Sequence, residues 1–422
     1  MKILLSGGNV YAGGTFSKKD VAVCNGIISD ISENISADGF DIVFDVCGKM
    51  IVPGFVDVHV HLREPGFSYK ETIKTGTLAS AKGGYSAVCS MPNLNPAPDS
   101  VENITLQKDI IEKDACISVF PYATITKGRK GKGELTDFES LKDLCIGFSD
   151  DGTGVQAEEI MEEAMKKAAS LGKIIAAHCE DESLLFGGYI HDGKYAKENG
   201  HKGICSESEW GQVKRDIELC KKTGCKYHVC HISTKETVDL IRKAKADGVD
   251  ITCETGPHYL VFCDEELKDS GAFKMNPPIR SKEDRAALIE GIADGTIDMI
   301  ATDHAPHSKE EKSGGLKDSL MGIVGIETAF GVLYTHLVQK KIITLEKLIE
   351  LMSINPAKRF GINNELKVGK TANFAVLDTD VQYTVKPHTF LSMGKCTPFE
   401  GMHLTGENIL TFAKGKIAWR KK

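Results

Sequence analysis

The chain has 422 residues, of which 41% are hydrophobic and 26% charged, and its formal net charge is −7. A chain of this length buries a large core without staples and fits one barrel-sized domain plus a small accessory unit. Lys and Arg are scattered among Asp and Glu, so no basic stripe invites nucleic acid and no basic amphipathic helix invites a membrane. A small polar substrate is the default. The 13 cysteines are odd in number and irregularly spaced, several of them (Cys89, Cys116, Cys145, Cys253) in apolar runs. They read as reduced thiols of a cytoplasmic protein rather than a disulfide framework. The opening apolar run, Ile3-Leu4-Leu5, is too short for a signal peptide, and no stretch approaches a membrane span.

In chain order, the first ~50 residues read as short strands and turns. Asn25-Gly26 between Val21-Ala22-Val23-Cys24 and Ile27-Ile28 predicts a hairpin. A central block then alternates apolar runs with helical stretches. Eight runs, at 51–58, 85–91, 117–122, 144–148, 174–177, 227–230, 249–253 and 297–301, interleave with helices that include 158–171, 210–222, 235–247 and 282–294. Eight β-then-α units predict an α/β fold, a closed (β/α)8 TIM-type barrel. The C-terminal residues return to strand patterns, with a second hairpin at Lys414-Gly415. We therefore expect a small β-sandwich-like domain built from both termini, residues 1–52 plus 366–422, around a hydrolase barrel at 53–365. The polar, glycine-hinged loop 306–320 follows the eighth strand and is a candidate lid.

The polar residues that end these runs carry the chemistry. His59 and His61 sit two apart on a strand, so they face the same way and can grip one metal. His178 and His231 close two consecutive runs at the barrel end where active sites are assembled. Alternation turns their neighbours Cys179 and Cys230 away, and His228 away from the site as well. Asp303 ends the eighth run, where a carboxylate can touch metal and move a proton. Of Asp150-Asp151, one can point into the mouth and bridge two cations. Nitrogen and oxygen donors without thiolate suit catalytic zinc with open positions, and a water activated there would attack an amide or ester carbonyl.

These residues, in this order, match the amidohydrolase superfamily. Residues 57–66, Asp-Val-His-Val-His-Leu-Arg-Glu-Pro-Gly, resemble the signature of the bacterial type I dihydroorotases, and residues 301–307, Ala-Thr-Asp-His-Ala-Pro-His, resemble that family's second signature. The resemblance covers essentially the whole chain. It implies two zinc ions: His59, His61 and Asp303 on the more buried one, His178 and His231 on the other, and Asp151 bridging both. It implies that Asp303 is catalytic, that Arg63 and Asn93 clamp the substrate carboxylate, and that His61, Asn276, His307 and the backbone of Met321-Gly322 complete the pocket. Many relatives have Phe at position 321. His258 is left as structural. Hydantoinases and allantoinases usually bridge with a carboxylated lysine, and residues 147–152 contain no lysine. The implied reaction is reversible, zinc-dependent cyclisation of N-carbamoyl-L-aspartate to L-dihydroorotate in pyrimidine synthesis, by a homodimer that is a candidate for association with aspartate carbamoyltransferase. The rivals are another cyclic amidase and a non-catalytic dihydroorotase-like subunit. The latter lacks the metal ligands that this chain keeps.

Overall fold

Asn25 and Gly26 both take positive φ, 50° and 83°, the backbone that a two-residue turn between twisted strands requires. The computed structural model describes all 422 residues, and in it this turn joins Thr15–Cys24 to Ile27–Ser32. Lys414 and Gly415, at 52° and 74°, make the equivalent turn between His403–Ala413 and Lys416–Arg420. Both hairpins belong to one eight-stranded sheet. Its two halves meet where Phe374–Thr384 pairs antiparallel with Met50–Pro53, Val376 opposite Ile51. Ile3, Leu5, Val21, Ile51, Phe374 and Phe412 fill its core, with the Phe374 and Phe412 rings stacked at 4.5 Å.

The predicted run 51–58 is thus two strands. Met50–Pro53 completes the terminal sheet, and Phe55–Val60 opens the barrel. Gly54 separates them, since a Cβ there would sit 2.2 Å from Ser86 Oγ. Phe55–Val60, Tyr85–Ser90 and Ser118–Pro121 form one parallel sheet, and Ile174–Ala177, Lys226–Val229, Ile251–Thr255 and Met299–Ile300 another. The fourth predicted strand, 144–148, shrinks to Phe148, which bridges Ala123 on one side and Ile175 on the other. A bridge between Val60 and His304 closes the circle. The result is a (β/α)8 barrel with helices outside. The four predicted helices appear as Glu158–Ser170, Glu207–Thr223, Lys235–Ala246 and Lys282–Asp294. No helix is long and apolar enough to cross a membrane.

The barrel interior is narrow and apolar below the rim, filled by Val56, Val58, Cys89, Met91, Ala176 and Met299 among others. Val60 and Leu62, by contrast, belong to the shell between strands and helices. The phase changes because three steps from Asp57 to Val60 oppose two from Val88 to Ser90, a bulge in the first strand. That extra residue turns His59 and His61 onto the inner face, which simple alternation from Val56 and Val58 would have given to positions 60 and 62.

Candidate active site

At the C-terminal rim the strands end in left-handed backbone. Eight non-glycine residues have positive φ, and four of them, Arg63 (63°), Arg129 (55°), His231 (34°) and Asp303 (47°), line a single cavity of 440 Å³. Each such residue costs about 1–3 kcal/mol, which the surrounding packing must offset. The cavity is also lined by His61, Asn93, Asp151, His178, Asn276, His307, Met321 and Gly322. A larger cleft of 590 Å³, reached by Tyr11, Ile354 and Asn364, contains no histidine.

The donor atoms converge in two groups that share Asp151. In the deeper group, His59 Nε2 lies 3.4 Å from Asp151 Oδ1 and 3.6 Å from Asp303 Oδ1, and His61 Nε2 lies 3.0 Å from Asp303 Oδ1 and 3.6 Å from Asp151 Oδ2. In the other, His178 Nδ1 is 2.9 Å from His231 Nε2, and these atoms are 3.6 and 3.5 Å from Asp151 Oδ1. Ligand atoms around a tetrahedral zinc with bonds of about 2.0–2.1 Å are about 3.3 Å apart, so both groups have the spacing of a coordination shell. His59 Nε2 and Asp151 Oδ1 are buried with no hydrogen-bond partner. Buried polar atoms are ordinarily satisfied, and these two are aimed into the shared space between the groups. The residues present fit a pair of divalent cations.

The atoms behind the donors fix their tautomers. Glu254 Oε1 accepts from His59 Nδ1 at 2.9 Å, and its Oε2 accepts from His228 Nε2 at 3.0 Å. Burial alone would raise the Glu254 carboxyl, but hydrogen bonds from His228 and His59 outweigh it and bring it down to about 2. Asn93 Oδ1 accepts from His61 Nδ1 at 2.8 Å, leaving His61 Nε2 unprotonated toward the cavity and the Asn93 amide nitrogen free. Glu180 holds Asn276 Nδ2 at 2.9 Å, beside the outer nitrogen of His178. Asp57, buried and pushed up to about 7 by that burial, accepts from Thr302 Oγ1 at 2.5 Å and from the His59 amide at 3.1 Å. It ties the segment bearing His59 to the one bearing Asp303.

Asp150 and Asp151 divide cleanly. Asp151 faces the histidines, while Asp150 accepts from the amides of Ile125, Thr126 and Gly131 and from the Thr126 hydroxyl. Cys179 packs outward beside Tyr227 and Asp216. Cys230 does not turn away as alternation predicts. It lies inside the barrel, grouped with His59 and Glu254, because His231 leaves the strand with positive φ and breaks the alternation. Burial pushes its thiol up to about 12, so it offers no thiolate. His228 lies under the site rather than in it, and His258 packs on Tyr259 without lining the cavity.

His307 Nε2 lies 2.8 Å from the Met321 carbonyl, which can only accept, so that nitrogen carries the proton. Burial, with Arg63 and Lys70 nearby, pushes the ring down to about 3, and it stays neutral. Arg63 Nε donates to the Pro306 carbonyl at 3.0 Å. The loop 306–320 is pinned on both flanks. Lys312 Nζ donates to the carbonyls of Leu320 (2.7 Å) and Lys274 (3.0 Å), Lys274 Nζ donates to Lys317 (2.7 Å), and Lys70 pairs with Glu311 (2.9 Å).

A (β/α)8 barrel with an imidazole and carboxylate cluster at its C-terminal rim and a β layer from both termini defines a metal-dependent hydrolase of the amidohydrolase type. Comparison with known proteins narrows the class. A family model described as dihydro-orotase-like matches residues 48–237. The chain is 50% identical to the dihydroorotase of Anoxybacillus flavithermus, with 97% of this chain and 96% of that protein covered. It is 48% identical to the dihydroorotase of a Geobacillus species, over 100% and 99% of the two chains. Among solved structures, the L-hydantoinase (dihydropyrimidinase) of Arthrobacter aurescens superposes with a TM-score of 0.88 at 26% identity, over 98% of this chain and 95% of that one. The chain belongs to the dihydroorotase family.

Proposed function

We propose that the chain interconverts L-dihydroorotate and N-carbamoyl-L-aspartate with two bound zinc ions, in the synthesis of pyrimidines in the cytoplasm. The observation that carries this reading is the cluster of His59, His61, His178, His231, Asp151 and Asp303, with buried donor atoms left unpaired toward one space. In the proposal His59, His61 and Asp303 hold the deeper ion, His178 and His231 the other, and Asp151 both. When bound, the ions supply Lewis acidity, polarising the ring carbonyl and activating water at neutral pH.

The chain's own residues do the rest. Arg63 and Asn93 take the substrate carboxylate, and Asn276, neutral His307 and the backbone at Met321-Gly322 orient the ring. In ring opening, a water oxygen bonds to the ring carbonyl carbon and the C–N bond breaks. Asp303 takes a proton from that water and passes it to the leaving nitrogen. Burial would raise the Asp303 carboxyl, but His59, His61 and His231 hold it below the ordinary carboxylate range, so it begins ionised. Opening a neutral amide yields a carboxylate and a proton, so by mass action alkaline conditions favour the open form.

A spectrophotometric assay with L-dihydroorotate, run in both directions, tests the reading. Faster turnover of hydantoin or dihydrouracil than of dihydroorotate would replace it with another cyclic amidase. Chelation is expected to abolish turnover, and zinc to restore it, with elemental analysis reporting two ions per chain. Burial pushes His59 down, but Asp151 and Asp303 outweigh that and hold its proton well above the ordinary histidine range in the metal-free chain. Protons therefore compete with the cation, and stripping by chelator should accelerate as pH falls. Arg63→Met is expected to raise KM by about tenfold to a hundredfold, the value of a lost charge-assisted pair. Unchanged kinetics would place the carboxylate clamp elsewhere. The homodimer and the association with aspartate carbamoyltransferase belong to the same proposal, and light scattering with and without that enzyme checks both.

A further inference from the structure

Arg129 lines the same cavity as Arg63, on a loop that the sequence motifs do not touch. Its backbone is left-handed, with φ 55°, in a turn braced from below by Asp150 through the amides of Thr126 and Gly131. The half-buried guanidinium takes part in no ion pair of the chain. Its Nη1 donates to the Asp151 carbonyl at 2.7 Å and to Thr153 Oγ1 at 2.5 Å, while Nε and Nη2 make no bond within the chain. Gly152, at φ 80°, forms open floor beside it. A point one Cβ above that floor lies 3.5 Å from Arg129 Nη1 and 3.9 Å from Asn93 Nδ2. Asn93 Nδ2 is itself free, because its partner oxygen is committed to His61. Arg129, with Nε and Nη2 still unpaired, thus lines the same cavity as the free Asn93 Nδ2, and Arg63 is a second cavity-lining cation without a carboxylate partner. Such a volume fits an anion.

We propose that Arg129 is a substrate-binding residue that grips the carboxylate shared by the cyclic and open forms, completing the Arg63–Asn93 clamp. This rests on the dihydroorotase reading above. The left-handed turn and the Asp150 brace hold the guanidinium fork over the Gly152 floor before substrate arrives, so less ordering remains to be done on binding.

The test uses two variants of the intact enzyme. Arg129→Gln keeps an N–H for the Asp151 carbonyl and removes the charge, and Arg129→Lys keeps the charge and removes the fork. KM for L-dihydroorotate and for N-carbamoyl-L-aspartate should rise together in Arg129→Gln, by about tenfold to a hundredfold, and less in Arg129→Lys. kcat should stay within about threefold and the metal content should be unchanged. Unmoved KM values overturn the inference, as does a fall in kcat that tracks metal loss, which would make Arg129 only a brace for Asp151. Wild-type protein that fails to open dihydroorotate overturns the underlying reading and this inference with it. Active wild type with unaltered variants overturns the inference alone.

Discussion

Asp303→Asn should lower kcat by about 10³-fold or more while metal content stays near the wild-type value. The size follows from the two jobs one carboxylate does in the proposed reaction: accepting a proton from the attacking water and returning it to the leaving nitrogen. An amide has nearly the same shape and does neither. Metal should remain because His59, His61, His178, His231 and Asp151 still surround the site, and Asn93 still orients His61 from behind. Asparagine is the informative replacement because residue 303 sits at φ 47°, a region that Asn tolerates and a branched or bulky side chain does not. Asp303→Ala is expected to be equally inactive. Steady-state rates alongside elemental analysis decide the matter. A variant turning over within about tenfold of wild type would remove Asp303 from the proton path, because one positioned acid–base group is worth at least that much.

The parts of this molecule legible in its sequence are those set by local rules. Asn25-Gly26 and Lys414-Gly415 are turns because each places a glycine, at positive φ, between two strand-patterned runs, and neighbours in the chain suffice to show it. The order of the β/α units, and the polar residues that end the runs, were readable for the same reason. What escaped depends on partners far away. The bulge that turns His59 inward is specified by pairing with Tyr85–Ser90, and alternation alone cannot place it. Alternation does not predict the place of Cys230, because it stops where His231 turns left-handed at the rim. The seventh strand runs Ile251–Thr255 rather than 249–253, which puts Glu254 inside it, and the bond from His59 to Glu254, across 195 residues, is not legible in the local pattern. Arg129 sits in Lys127-Gly128-Arg129-Lys130, a stretch that reads as solvated charge until the fold brings Asp151 beneath it.

Glu254→Ala should weaken metal binding by about tenfold to a hundredfold and destabilise the protein by about 3–5 kcal/mol. Glu254 is fully buried, and both its oxygens are in use, toward His59 Nδ1 and His228 Nε2. Truncation strands two imidazole donors in a dry space and releases His59 from the tautomer that leaves Nε2 open to a cation. Glu254→Gln separates these effects. If the amide oxygen stays on His59, the amide NH2 faces His228 Nε2. His228 can then accept there by moving its proton to Nδ1, which faces the Thr252 hydroxyl at 2.9 Å. Packing and hydrogen bonding survive, and only the negative charge behind His59 is lost. Glu254→Gln should therefore melt close to wild type yet still bind zinc about tenfold more weakly, as expected for loss of a carboxylate behind a metal-binding histidine. Chelator-competition titrations measure the affinity, and thermal melts of the metal-free proteins measure the stability. Wild-type zinc affinity in Glu254→Ala would show that the carboxylate only fills space. Equal melting losses in Ala and Gln would show that its charge, rather than its geometry, holds the barrel interior together.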